Sequence, residues 1–268
     1  MICTLGDLLL DVIVRLDGPI AEDTDTYGRT RVGPGGQAAN VAAWVAALGG
    51  RARFVGKRAA DPAGRMLAHE LEVRAVEIAG PEAESGTGTV VSIASVDGKR
   101  TMLTDRGVSP DFRPDELKEV WIADCERLHL PAYSLVVEPI RAAAVEAAAL
   151  APRVSVDLSS TTAIEAGGVD QFRRLLAELG ADIVFGNEAE VELLGEIPAE
   201  TVVIKRGGRG ILVRRDGAES DWPAVPAKVV DTTGAGDAFA AGFLVGGPEL
   251  GLKAAARCVA QMGAFPPG

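Results

Sequence analysis

Asp231-Thr232-Thr233-Gly234-Ala235-Gly236-Asp237-Ala238-Phe239-Ala240-Ala241-Gly242-Phe243 decides how the rest of the chain is read. It predicts a strand over 227–230 that passes into an apolar helix over 238–245. The small residues between them make a turn at the helix start, where backbone N–H groups lack intrahelical partners. The helix dipole adds partial positive charge there, so the turn suits a phosphate oxygen or another anion. Glycine keeps side chains out of that approach. Asp237 sits beside this anion site, which is repulsive unless its carboxylate takes a proton from a hydroxyl attacking bound phosphorus. Phosphoryl transfer needs an oriented nucleophile, a base near it and fixed positive charge. A plainer reading is a helix capped by Asp or Thr at a glycine turn. The small-residue pattern alone supports both equally.

A second stretch stands far upstream. Gly35-Gly36-Gln37-Ala38-Ala39-Asn40 predicts a close backbone approach that opens a helix over 37–48. Asn40 falls in its first turn, where an amide can both donate to and accept from a diol. The motif Asp-Thr-x-Gly-Ala-Gly-Asp-x-Phe-x-x-Gly, filled from Asp231 to Gly242, resembles the C-terminal signature of the ribokinase / phosphofructokinase-B family of small-molecule kinases. The Gly-Gly-x-x-x-Asn stretch resembles that family's N-terminal signature, and the similar layout covers nearly the whole chain.

The resemblance implies an α/β fold, a ribokinase-like three-layer α/β/α sandwich with a mainly parallel central sheet and a small β-sheet lid. One kinase domain would span 1–268, with 12–32 and 86–105 forming the lid. The implied activity is ATP-dependent phosphorylation of a hydroxymethyl group of a small sugar. Asp237 would be the general base, and the turn of Gly234, Ala235, Gly236 and Asp237 the anion hole. Asp11, Gly35, Gly36 and Asn40 would hold the sugar. Asn187 and Glu190 would position Mg²⁺ through water, and with Lys205, Gly207, Gly210 and Thr233 would meet ATP. A monovalent cation such as K⁺ would sit near Asp231 and Thr233, completed by the C-terminal segment, which is short here. A cytoplasmic homodimer is implied as well.

Composition agrees with one enzyme domain. The chain has 268 residues, 47% hydrophobic, enough for a large core. A net charge of −11 argues against nucleic acid or an anionic membrane surface as partner. No apolar run reaches the ~20 residues of a membrane helix, and no signal peptide is apparent. Cys3, Cys125 and Cys258 are widely spaced and odd in number, which predicts reduced thiols rather than a disulfide frame.

From Arg127 onward strands and helices alternate, which predicts a parallel sheet with helices on both faces. Thr87–Ser95 and Lys99–Thr104 alternate as strands, with a hairpin at Val96-Asp97-Gly98. Asp11 interrupts an apolar run, a costly place for a charge unless it is hydrogen-bonded. His129 lies in an apolar strand and reads as a core residue. Arg106 could reach the substrate, but the simpler reading is a solvated loop arginine. Asn187 and Glu190 share one helix face after the strand ending at Phe185, and ligands of open α/β sheets bind at strand carboxyl ends. Arg206-Gly207-Gly208-Arg209-Gly210 reads either as a nucleotide turn or as an ordinary hairpin. The family usually has Gly-Asp-Asp where this chain has Ala59-Ala60-Asp61.

Competing classes leave less trace. There is no P-loop, no His-x-x-x-His, no Cys-x-x-Cys, and no Gly-x-Gly-x-x-Gly after the first strand. A nucleoside kinase is the nearest alternative. Leu9 cannot assist sugar binding as a polar residue would, and Tyr27 is the only aromatic near the predicted lid. A non-catalytic nucleotide or metabolite sensor would be marked by loss of the base, yet Asp237 is present.

Overall fold

The computed structural model describes residues 1–95 and 100–267. Nine strands form the main sheet. In sheet order they are β15 (Ala218–Trp222), β14 (Ile211–Arg215), β13 (Thr201–Lys205), β12 (Ile183–Asn187), β11 (Val154–Asp157), β10 (Arg127–Pro131), β1 (Ile2–Leu5), β4 (Ala52–Val55) and β6 (Val76–Ala79). All pairs are parallel except β13–β14 and β14–β15; β5 (Arg58–Ala59) and β7 (Glu82–Ala83) form a short parallel pair of their own. The parallel part reads in sequence as short apolar runs, because both faces are covered by helices.

Each face has its own apolar cluster. On one side Cys3 and Leu5 share a cluster with α3 (Ile140–Leu150), α4 (Thr161–Gly167), α5 (Val169–Leu179) and α6 (Glu188–Leu194). On the other, Phe54 meets α1 (Gln37–Ala47), α2 (Pro62–Glu72) and α7 (Ala235–Val259). Alanines at 38, 39, 42 and 43 are fully buried in α1 and let α7 pack close against it. Phe185, Phe239 and Phe243 stack edge to face between β12 and α7, and each such buried ring contributes about 1.5–3 kcal/mol by burial alone.

Two expectations need correction here. Residues 227–230 form no strand; the chain is extended and irregular before the turn, and Val230 N–H bonds Val259 O at 2.7 Å. The helix expected at 238–245 is the first part of a longer element, α7, which is kinked where Gly246 and Gly247 leave helical geometry and ends at Val259. Pro248 just past those glycines lacks the N–H that would continue the ladder.

A separate four-stranded sheet, in the order β3 (Gly28–Gly35), β2 (Leu9–Leu16), β8 (Thr87–Ala94) and β9 (Arg100–Gly107), stands over the carboxyl ends of the main strands. Its strands fall in and around the segments expected at 12–32 and 86–105: β2 starts earlier, at Leu9, β3 runs on to Gly35 and β9 to Gly107, while 17–27 is irregular. The expected turn at Val96-Asp97-Gly98 lies outside the described residues. The three cysteines are free and buried, and no described helix is long and apolar enough to cross a membrane.

Candidate active site

The α7 turn lies where the two sheets meet. Gly234 caps the helix with φ 74°, a left-handed conformation that suits glycine, and a Cβ there would sit 2.5 Å from the Ala264 side chain. The segment after α7 therefore backs the turn directly. Ala235 N–H points back to Thr232 O at 3.3 Å, and Ala235 faces an apolar pocket rather than the cleft. Gly234, Gly236 and Asp237 do line the cleft, which has a volume of about 530 Å³. The donors expected from the first helical turn therefore narrow to those around Gly236 and Asp237.

Asp237 is the centre of this cleft. The Asn40 amide donates to its Oδ2 at 2.6 Å, joining the first turns of α1 and α7. Desolvation pushes its carboxyl up to about 7; the Asn40 hydrogen bond and Lys205 oppose this, while Asp157 and Asp7 add to it. Asn40 is itself buried, and its Oδ1 has no partner.

Asp11 is raised to about 7 as well, first by burial and then by the nearby charges of Asp7, Asp237 and Asp231. The Gly35-Gly36 pair acquires a specific reason. A Cβ on Gly35 would lie 2.1 Å from Asp11 Oδ1, so the missing side chain is the space that Asp11 occupies. Gly36 has φ 95°, and a Cβ there would press on the backbone of Asp7. Only Gly36 of the two lines the cleft, so the close substrate approach expected at both positions applies at most to Gly36.

Positive charge comes from Lys205 at the end of β13. Its ammonium donates to Asp157 at 2.7 Å and lies so near Gly236 that a Cβ there would be 3.3 Å away. Burial disfavours its charge, but Asp157, Glu190 and Asp237 outweigh burial and hold the pKa above the ordinary lysine value. Asn187 and Glu190 form a reciprocal cap on α6. Asn187 N–H and its amide donate to the two Glu190 oxygens at 2.8 and 2.7 Å, and Glu190 N–H returns to Asn187 Oδ1 at 2.9 Å. Burial raises the Glu190 carboxyl. Each of its oxygens has one donor and keeps a second lone-pair site. The pair therefore fits a hydrated Mg²⁺ reached through water, not a bare inner ligand set. Among the described residues no cluster of three His, Cys, Asp or Glu groups offers such a set.

Asp231 accepts from Thr233 N–H and O–H at 3.0 and 2.8 Å and from Gly263 N–H at 3.1 Å. Those donors meet much of the carboxylate's demand without a cation. Gly207 borders both the cleft and a neighbouring apolar pocket of about 490 Å³, whereas Gly210 borders only the latter. That pocket includes Ile211, Val225, Phe239 and Leu252.

Sequence reasoning did not single out Asp7, Tyr133 and Asp157 among the cleft residues, and gave a cleft position for Arg106 second place. Asp7 follows β1, Asp157 ends β11, Tyr133 follows β10, and Arg106 is no loop residue but lies in β9. Arg106 ion-pairs with Asp7, and its guanidinium stacks 3.7 Å from the Tyr133 ring centre. The rule that ligands gather at strand carboxyl ends would have pointed to Asp7, Tyr133 and Asp157. Tyr27, by contrast, is 80% exposed and outside the cleft. His129 is a core residue as expected. It shares a 3.0 Å hydrogen bond with Ser155, and desolvation lowers its pKa to about 4.

A mainly parallel sheet flanked by helices, with a second small sheet over its strand ends and a desolvated acid at a helix start between them, defines a ribokinase-like kinase. The adenosine kinase of Sinorhizobium meliloti superposes with a TM-score of 0.89 at 26% identity, covering 99% of this chain and 95% of that one. The chain belongs to the pfkB family of carbohydrate kinases, whose profile matches residues 1–265. It is an ATP-dependent carbohydrate kinase. An ATP-dependent ribose-1-phosphate kinase of Halopiger xanaduensis is 31% identical over 96% of this chain and 90% of its own length. A fructokinase of Klebsiella pneumoniae is 31% identical over 91% of this chain and 83% of its own length.

Proposed function

We propose that this kinase phosphorylates a hydroxymethyl group of a small sugar, with Asp237 as general base. The observation that carries the reading is the Asp237 carboxyl, raised to about 7 and held by the Asn40 amide beside the Lys205 ammonium. A base with a pKa near working pH is the best compromise between being deprotonated and being able to take a proton. The acceptor hydroxyl gives its proton to Asp237 and attacks the terminal phosphorus of ATP, whose bond to the bridging oxygen breaks as ADP leaves. Lys205 and the amides around Gly236 and Asp237 stabilise the charge spread over the transferring group. Asn187 and Glu190 would hold the water shell of a bound Mg²⁺, which would supply neutralisation of phosphate charge. Gly207, Gly210 and Thr233 border the nucleotide, and the apolar pocket around Phe239 takes the base.

Asp11 and Asn40 grip the sugar hydroxyls, and the small sheet acts as a lid that excludes water. Val32, Met102 and Leu103 of that sheet are more than half exposed, which favours pairing of two lids in a homodimer.

A nucleoside acceptor is the second reading, favoured by the adenosine kinase likeness and by Tyr133 in the cleft. Arg106 covers one face of that ring, so the face is not free to stack a base. This favours a sugar. A coupled ADP-release screen with fructose, ribose, other sugars and nucleosides decides between them. Turnover confined to nucleosides overturns the sugar reading, and no turnover with any acceptor overturns both.

A further inference from the structure

We infer that the Asp7–Arg106 ion pair sets the charge class of the acceptor. Asp7 neutralises Arg106, so the cleft takes an uncharged polyol, and loss of Asp7 admits an acceptor bearing a phosphate or carboxylate. The inference rests on the sugar kinase reading above.

Arg106 is the cation best placed to receive an anionic acceptor. It lines the cleft with Asp11, Asn40 and Asp237, and stacking on Tyr133 at 3.7 Å fixes its plane. An arginine carries five N–H donors, and the contact with Asp7 engages the Nη1 end. Unpaired, such a fork would recognise phosphate or carboxylate strongly.

Asp7 prevents this. Its residue is 4% exposed, and Arg106 supplies the one hydrogen bond to its carboxylate among the described residues. Its other oxygen, Oδ1, is buried with no partner. Drawing Arg106 away to a substrate anion would strand a buried charge, which is strongly unfavourable. Lys205, the other cation lining the cleft, is tied to Asp157. Asp11, Glu190 and Asp237 also border the cleft and repel an anion. A hydroxyl meets no such obstacle. It accepts from a remaining Arg106 N–H while the ion pair stays intact, so Asp7 is not stranded. The pair therefore works as a charge filter: a repulsive element against one acceptor class and a matched contact for the other.

Calorimetry in the presence of a non-hydrolysable ATP analogue tests this. The ligands are D-fructose and D-ribose against D-fructose 6-phosphate and D-ribose 1-phosphate. The wild type is expected to bind a neutral sugar at least about tenfold more tightly than its phosphorylated counterpart. Asp7→Asn, nearly isosteric, shifts that ratio toward the phosphorylated sugar by about tenfold or more. Arg106→Gln shifts it the opposite way, because Asp7 then faces the cleft unneutralised. Adding Arg106→Gln to Asp7→Asn abolishes the gain. Opposite signs from two members of one pair are not what lost packing produces. A wild type that prefers the phosphorylated sugars, equal weakening of both classes by Asp7→Asn, or no binding of any of the four overturns the inference. ADP release measured alongside separates the two readings. The expected binding pattern without turnover overturns the kinase assignment and leaves the filter standing.

Discussion

The Asn40 amide and the Asp237 carboxylate meet at 2.6 Å across 197 positions of chain. Each stands in the first turn of its own helix, and the two helices pack through small residues. The contact makes one unit of two distant glycine motifs. It also gives Asp237 a hydrogen bond that favours its charged form, against the desolvation that disfavours it.

Asp237→Asn should lower kcat by about 10²–10⁴ while the fold persists. The native state takes up a proton at Asp237 that the unfolded chain releases, because the pKa rises from 3.8 to about 7. Stability from this group therefore falls as pH rises between those values. Removing the charge should raise stability at pH 8 by about 1–2 kcal/mol, discounted for partial exposure. Steady-state kinetics with thermal melts at pH 5 and pH 8 check both parts. Unchanged turnover in a folded Asn variant would remove the assigned role.

The acid limb of kcat/KM should titrate near neutral pH, since Asp237 and Asp11 are both raised to about 7. The two interact, so the limb reports the pair. Asn40→Ala should move it upward, because the bond that favours the carboxylate is gone. A limb left in place by Asn40→Ala contradicts the proposed coupling.

Gly35→Ala should cost acceptor affinity more than ATP affinity. Its Cβ would overlap the Asp11 carboxylate, which must turn out of the cleft. The expected signature is a raised sugar KM with ATP KM nearly unchanged. Equal increases in both would assign Gly35 to the fold rather than to Asp11.

Lys205→Met should destabilise by about 3–5 kcal/mol, because Asp157 is left buried and unpaired. Adding Asp157→Asn should restore much of the melting temperature but not the turnover. Recovery of full activity in the double variant would exclude Lys205 from charge stabilisation.

Glu190→Gln should raise the Mg²⁺ concentration for half-maximal rate by about 10–100-fold, as expected when a residue orienting a metal's water shell is altered. The α6 cap survives in part, because the amide oxygen still accepts. An unchanged magnesium titration places the ion elsewhere.

Much of this protein was legible along the chain. The Asp231–Phe243 stretch carries its own physics, since a glycine turn before an apolar helix leaves N–H donors without intrahelical partners, which suits an anion. Alternating apolar segments likewise announce a parallel sheet, because burial on both faces leaves only apolar residues in its strands. Asp11 and Asp237 stand out from their local context, whereas Asn40 and Lys205 are carried by the family resemblance. Their mutual arrangement follows from neither. Gly35 was read for a substrate, and the fold shows that its absent side chain makes room for Asp11. Arg106 was read as solvated, yet it closes on Asp7 and Tyr133. Pairings such as Asp7–Arg106, Asp157–Lys205 and Asn40–Asp237 are fixed by sheet order and helix docking. Those depend on the energy of the whole core, which no local pattern encodes. For the same reason the raised pKa of Asp237 belongs to the tertiary structure, since desolvation and neighbouring charges arise only when distant segments assemble around one carboxyl.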